Sequence, residues 1–122
     1  MKFLKHVRYE VLRLLLCRYT NGFDTYEDFA RHFHKHAHKV GITADWRYLR
    51  KADTMFRPGA VSANHYGKPF DDLEECVRKR DLATLRYYNP TNEIAIRHGR
   101  FIGTCFGDVR KNLRAYFLAE CV

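Results

Sequence analysis

Histidine recurs at every second position of His32-Phe33-His34-Lys35-His36-Ala37-His38, inside a segment whose apolar spacing predicts a helix reaching about residue 39. An imidazole titrates near neutral pH, so it is able to take or deliver a proton at a phosphodiester. On a helix, His36 falls beside Phe29, Phe33 and Val40 on the apolar side, and His32 lies at the edge of that side. His34 and His38 point away. Three readings of His32 and His36 stand side by side: acid–base chemistry, a core histidine satisfied by hydrogen bonds, and a zinc site. Zinc would use an i, i+4 pair, but no third Asp, Glu or Cys ligand follows at a recognisable spacing.

A second group of reactive side chains lies further on. From Leu82 the apolar period changes to two residues, which predicts a three-strand antiparallel meander: 85–88, a turn over 89–92, 93–97, a tight turn at His98-Gly99, and 100–106. In that register Arg97 opposes Arg100, Ala95 opposes Ile102 and Arg86, and Glu93 opposes Thr104 and Tyr88. One face then carries Arg86, Tyr88, Arg97, Arg100 and Thr104, while Leu85, Tyr87, Ile94, Ile96, Phe101 and Cys105 form an apolar face for the helices. The polar side reads either as a solvated sheet face or as a phosphate-binding one. Charge favours the second, because nine Lys or Arg against three Asp or Glu between Cys76 and Arg114 hold six of the eight excess positive charges. Guanidinium groups bind phosphate oxygens bidentately and an aromatic ring stacks a splayed base.

Taken together, the two groups outline a metal-free ribonuclease site. His36 removes the proton of a ribose 2′-OH, Arg86 binds the scissile phosphate, Thr104 hydrogen-bonds a non-bridging oxygen, and His32 is the candidate for the second proton transfer.

These residues need a scaffold, and the rest of the chain spells one. Leu4, Val7, Val11, Leu14 and Leu15 recur at helical spacing over 3–19, an amphipathic helix docked on the body. Asn21-Gly22 ends it; Asp24 and Thr25 supply cap chemistry for the histidine helix, with Glu27 and Asp28 in its first turn. Gly41 closes that helix, Thr43 caps a third over 44–56, and Arg57-Pro58-Gly59 breaks the chain before an irregular stretch reaching Pro69. A short fourth helix is expected over 71–80, acids first and Arg78, Lys79 and Arg80 last, in the order the helix dipole favours. Gly107-Asp108 opens a final helix with Val109, Leu113, Tyr116, Phe117 and Cys121 available for packing. The expected fold class is α+β: N-terminal helices, then a small antiparallel β-meander, then a C-terminal helix. It forms a single domain over 1–122, with 1–22 as a docking helix and 23–122 as the body.

Composition sets the outer bounds. At 122 residues and 46% hydrophobic content the chain supports one core, and a formal charge of +8 calls for a polyanionic partner: nucleic acid, an anionic surface or an acidic protein. The longest apolar run near the start is Leu14 to Cys17, too short for a membrane span. Cys17, Cys76, Cys105 and Cys121 form no Cys-x-x-Cys pair, and buried free thiols are the expectation for them.

The order of several short motifs adds a resemblance. His32-Phe33-x-Lys35-His36, Tyr48-Leu49 with Ala52, Leu85-Arg86-Tyr87-x-Asn89-x-Thr91-Asn92-Glu93, Gly99-x-x-Ile102-x-Thr104-x-Phe106 and Asn112-Leu113-x-x-Tyr116-Phe117 together resemble the C-terminal ribonuclease domains of polymorphic and contact-dependent growth-inhibition toxins. That group includes barnase, EndoU, colicin and RelE types of fold, and the likeness spans roughly 23–117. It implies metal-independent endonucleolytic cleavage of RNA, often tRNA, without a cofactor. It also implies a cognate acidic immunity or antitoxin protein, and action in the cytoplasm of a target cell reached by secretion or delivery as part of a larger toxin. By position it places catalytic roles on His32, His36, Arg86, Thr104 and Tyr116, and RNA contacts are expected from Lys35, Tyr88, Arg97 and Arg100. Other expectations compatible with the charge are a non-catalytic nucleic-acid-binding or regulatory protein using the same basic face, and an interaction protein that meets an acidic partner.

Overall fold

The computed structural model describes residues 2–58, 61–62 and 73–122, and the irregular stretch expected before Pro69 lies almost wholly outside them. The fold is α+β, with helices at the N-terminus, an antiparallel sheet and a C-terminal helix. Helix α1 spans Lys2–Leu16, α2 spans Tyr26–His36, a 3-10 turn follows over Ala37–Val40, and α3 spans Asp45–Thr54. Strand β1 is Val61–Ser62, and β2 (Leu73–Val77), β3 (Thr84–Tyr88), β4 (Glu93–His98) and β5 (Phe101–Gly107) pair antiparallel in chain order, before α4 at Leu113–Glu120.

The segment expected as a fourth helix is instead strand β2, with Leu73 opposite Tyr88 and Val77 opposite Thr84. Helix-dipole logic fails there because the acids serve cross-strand and helix–sheet partners: Glu75 binds Arg86 at 2.8 Å, and Glu74 binds Arg114 of α4 at 2.8 Å. The meander is therefore one strand larger than expected. Cys76 of β2 and Cys121 just beyond α4 form a disulfide, a correction to the expected free thiols; only Cys17 and Cys105 stay reduced. Closing a loop 45 residues apart, it contributes about 4 kcal/mol on the chain-entropy account.

Both faces of the sheet are covered. Leu73, Ala95, Ile102 and Cys105 pack under Phe23, Phe29, Tyr48, Leu49, Ala52 and Phe56 from the N-terminal half. Leu85, Tyr87, Ile94 and Ile96 pack against Leu113 and Phe117 of α4. The expected solvated side does not exist: Arg86 is buried and Arg97 partly so, while Arg100 stays exposed in the hairpin turn.

The hairpin register is the reason. His98 pairs with Phe101, so the tight turn is Gly99-Arg100, one residue later than expected, with Gly99 at φ +58° where an L side chain is strained. A bulge between Ile96 and Arg97 then sets Ala95 opposite Cys105 and Ile96 opposite Thr104. Arg86, across from Ala95, and Thr104, across from Ile96, thus belong to opposite faces.

Helix α1 also docks differently from expectation. Tyr9 is its buried anchor, donating its hydroxyl to the Phe23 carbonyl and stacking on Phe29 at 4.9 Å. Phe3, Leu4, Val7, Val11, Leu14 and Leu15 all remain exposed. What fastens the end of α1 to the body is Asp53 of α3, whose buried carboxylate accepts from the backbone N–H groups of Arg18, Tyr19 and Thr20 and from the Thr20 hydroxyl. Asn21 to Phe23 then lie along β5, through Asn21 N–H to Arg100 O at 2.7 Å and Ile102 N–H to Gly22 O at 2.8 Å.

Candidate active-site cleft

Helix α2 begins where Thr25 accepts from the Asp28 N–H at 3.1 Å, with Glu27 and Asp28 complementing the dipole. Starting there, and packing Phe29 inward, the helix delivers His32 and His36 to the edge of β5. Helix α4 arrives from the other side, its start capped by the Asn112 side chain on the Ala115 N–H at 3.1 Å. Asn92 pins the loop before α4 by donating to the carbonyls of Asp108 and Lys111, while its oxygen accepts from Tyr87.

Between them lies a cleft of about 540 Å³. His32, Lys35, His36 and Lys39 form one wall, Thr104, Phe106 and Gly107 the sheet edge, and Lys111, Asn112 and Tyr116 the opposite wall. The imidazoles of His32 and His36 stack at 5.6 Å between centroids and 17° between planes. Thr104 Oγ1 lies 3.1 Å from His32 Nδ1, and Phe23 stacks on His32 at 5.6 Å, so this ring is held from two sides. His36 leans on Phe106 at 5.4 Å, and Phe106 in turn meets Tyr116 edge-on at 6.0 Å. The Tyr116 hydroxyl donates to Glu120 at 3.1 Å.

His36 is 9% exposed, and its Nδ1 is buried without a hydrogen-bond partner. Burial, reinforced by the charges of His32, Lys35, Lys39 and His38, pushes its pKa down to about 4. Burial also lowers His32, helped by Arg31. Both rings are therefore neutral at pH 7, and both are able to accept a proton. Burial and the neighbouring Glu120 raise the Tyr116 phenol, which keeps its proton through the neutral range.

Of the residues singled out from the sequence, His32, Lys35, His36, Thr104 and Tyr116 line this cleft, and His34 and His38 are exposed. Arg86 does not reach it. Its guanidinium is buried, bound to Glu75 at 2.8 Å, donating to the carbonyls of Met55 and Arg57, and set over Phe56 at 5.7 Å. It closes the core rather than presenting a phosphate ligand. Arg97 covers the same Phe56 ring at 5.0 Å, Tyr88 lies under Arg57 at 5.3 Å, and Arg100 sits in the hairpin turn near Asn21. The basic sheet face is thus dispersed, and the cations that line the cleft are Lys35, Lys39 and Lys111.

Lys39 and Lys111 were not among the residues picked from the sequence. Lys39 had a signal, because His32, Lys35, His36 and Lys39 follow the i, i+3, i+4, i+7 rhythm of one helix face, which the 3-10 turn prolongs. Lys111 had none: its place depends on the Asn92 hydrogen bonds. Among the described residues no three His, Cys, Asp or Glu side chains are grouped to hold a metal ion, and no helix is long and apolar enough to cross a membrane. The chain matches no known family, no characterised protein and no solved structure.

Proposed function

We propose that this protein is a metal-independent RNA endonuclease of toxin type, acting at the cleft between α2, β5 and α4, with tRNA as the expected target and an acidic immunity protein as the expected partner. The observation that carries the reading is the stacked pair His32 and His36, neutral and half enclosed, flanked by Lys35 and Lys39 on their own wall and facing Lys111 and Tyr116 across one cleft. RNA brings its own nucleophile, so the protein has only to move two protons and neutralise charge.

In this mechanism His36 takes the 2′-OH proton as O2′ attacks phosphorus. The P–O5′ bond breaks, and O5′ receives a proton from Tyr116, whose hydroxyl turns from Glu120 to the leaving oxygen, giving a 2′,3′-cyclic phosphate and a free 5′-hydroxyl. Tyr116 is assigned this second step in preference to His32, whose lowered pKa leaves the ring mostly without its second proton at pH 7, while the raised phenol keeps its own. Lys35, Lys39 and Lys111 offset the charge that builds on the phosphorane. Thr104 acts on His32, holding its ring through Nδ1. The disulfide suits a chain that meets an oxidising compartment during export.

The test is incubation of purified protein with total RNA and with tRNA in EDTA, followed by analysis of the fragment ends. Discrete fragments with cyclic phosphate ends support the proposal. Binding without cleavage favours the non-catalytic nucleic-acid-binding reading. The pH dependence is a sharper check, because kcat/KM reports the free protein's pKa values. With His36 titrating at about 4, kcat/KM for cleavage should stay within about twofold between pH 7 and pH 5.5. A base at the ordinary histidine value near 6.5 would lose roughly tenfold over that interval, and such a loss would remove His36 from the role.

A further inference from the structure

The histidine cleft does not end at Lys39. A second depression of about 340 Å³ shares Lys39 and Asp108 with it and continues over Val40, Lys51 and Glu93. A third, of about 610 Å³, shares Lys51 and Glu93 with the second and runs along α3 past Trp46, Arg47, Arg50 and Thr54 to Tyr88. The three are contiguous through shared walls. The side chains along them are cationic at intervals: Lys35, Lys39, Lys51, Arg50 and Arg47.

We infer that this groove is a binding track for a single-stranded polyanion, the RNA segment on one side of the scissile phosphate, ending on a base-stacking platform at Trp46. The inference rests on the RNA reading above and names where the rest of the substrate lies. Lys51 is held in place by the buried Glu93 at 2.9 Å, so one cation of the track has a fixed position. Arg47 and Arg50 are exposed and, among the described residues, form no ion pair, which leaves their charge for a ligand. Trp46 is 36% exposed and has the Arg47 guanidinium 5.2 Å from its ring centroid, which sets an aromatic surface and a cation side by side for a base and its phosphate. Phosphate contacts and aromatic stacking without a pattern of base-edge ligands give affinity that tolerates sequence and depends on strand length.

The experiment measures binding of a single-stranded RNA of about twelve nucleotides and of a trinucleotide, using His36→Ala protein so that nothing is cut. Adding Trp46→Ala, Arg47→Ala and Arg50→Ala should weaken the longer strand by about tenfold or more and leave the trinucleotide unchanged. Losing two phosphate contacts should also make the log–log salt dependence shallower by about 1.4. Equal affinity of the two proteins for the longer strand overturns the track. Binding that needs these three residues, combined with wild-type protein that cuts no RNA, upholds the track and defeats the catalytic proposal alone.

A separate observation concerns α1. Phe3, Leu4, Val7, Val11, Leu14 and Leu15 form one apolar stripe on its outer face, with Phe3 76%, Leu14 80% and Leu15 72% exposed. Leu4, Val7, Val11 and Leu14 are spaced three, four and three residues apart, the seam of a two-helix pair, and this spacing reads the same in both directions about Tyr9. An antiparallel pairing with a second copy would place Leu4 in one layer with Leu14 and Val7 in one layer with Val11, a closed isologous contact. The stripe alone amounts to roughly 600 Å² per chain, near the ~800 Å² per partner of a standard interface once its polar flanks are added. The geometry points to a homodimer through α1. Sedimentation over the micromolar range should show a concentration-dependent dimer that Val7→Glu with Val11→Glu abolishes, while the variant still unfolds cooperatively with a melting temperature that no longer depends on concentration. A monomer throughout that range, whether or not it binds anionic vesicles, overturns it.

Discussion

His36→Ala lowers RNA cleavage by ~10²- to 10⁴-fold while RNA affinity stays within a few-fold, the loss typical for a positioned general base. The expectation follows from where the ring sits: 9% exposed, leaning on Phe106, stacked on His32, and neutral with a pKa of about 4. His34→Ala, on the exposed side of the same helix, is silent in the same assay. Since removing His36 leaves a void beside Phe106, His36→Gln serves as a companion that keeps volume and polarity while lacking a titratable nitrogen. Thermal melts of both variants separate lost chemistry from lost fold. Wild-type cleavage by either variant would take the proton transfer away from His36.

Asp53→Ala costs ~3–5 kcal/mol of stability, a large fraction of the ~5–15 kcal/mol that holds a domain of this size together. Its carboxylate accepts from three successive backbone N–H groups, Arg18 at 2.8 Å, Tyr19 at 3.1 Å and Thr20 at 2.9 Å, and from the Thr20 hydroxyl at 2.7 Å. Alanine leaves these donors without an acceptor at a half-buried turn. The damage reaches the site, because the turn leads into Phe23, which stacks on His32. Chemical denaturation measures the loss, and Asp53→Asn should fall between wild type and Asp53→Ala because it keeps one accepting oxygen. A variant within 1 kcal/mol of wild type would show that water replaces the carboxylate there.

Helix periodicity and caps made the N-terminal half readable. Thr25 with Glu27 and Asp28, the apolar side of α2, and Gly41 at φ +76° are local signals that operate wherever the helix is placed. They were enough to separate His32 and His36 from His34 and His38, because 3.6-residue geometry fixes which side chains share a side. The strands β3 to β5 were legible for the same reason at period two, and so was the pairing of Arg86 with Ala95 across a turn containing Pro90. Sequence by itself thus determined the α+β class, most element positions and the histidine pair.

Register and partners were decided only by the tertiary structure. A bulge at Ile96 and Arg97 leaves Gly103 of β5 unpaired; a lone glycine within a strand hints at such a bulge but does not say how the register resumes beyond it, and the shift moves Thr104 away from Arg86 and toward His32. Helical charge order over 71–80 matched a dipole, yet Glu75 found Arg86 on the neighbouring strand, 11 residues on, and Glu74 found Arg114 on α4, 40 residues on, and these ion pairs with sheet hydrogen bonds outweigh local propensity. Arg86, Arg97 and Tyr88 read as a polar face, but a sheet covered on both sides buries the Arg86 guanidinium where the Met55 and Arg57 carbonyls and the Phe56 ring meet its hydrogen-bonding and stacking needs, and lays Arg97 over the same ring. Cys76 and Cys121 were two thiols 45 residues apart until the fold brought their Cα atoms to 5.7 Å. Local spacing sets what one element presents to its surroundings; which surroundings it meets depends on the free energy of the whole packed chain, and no single segment encodes that.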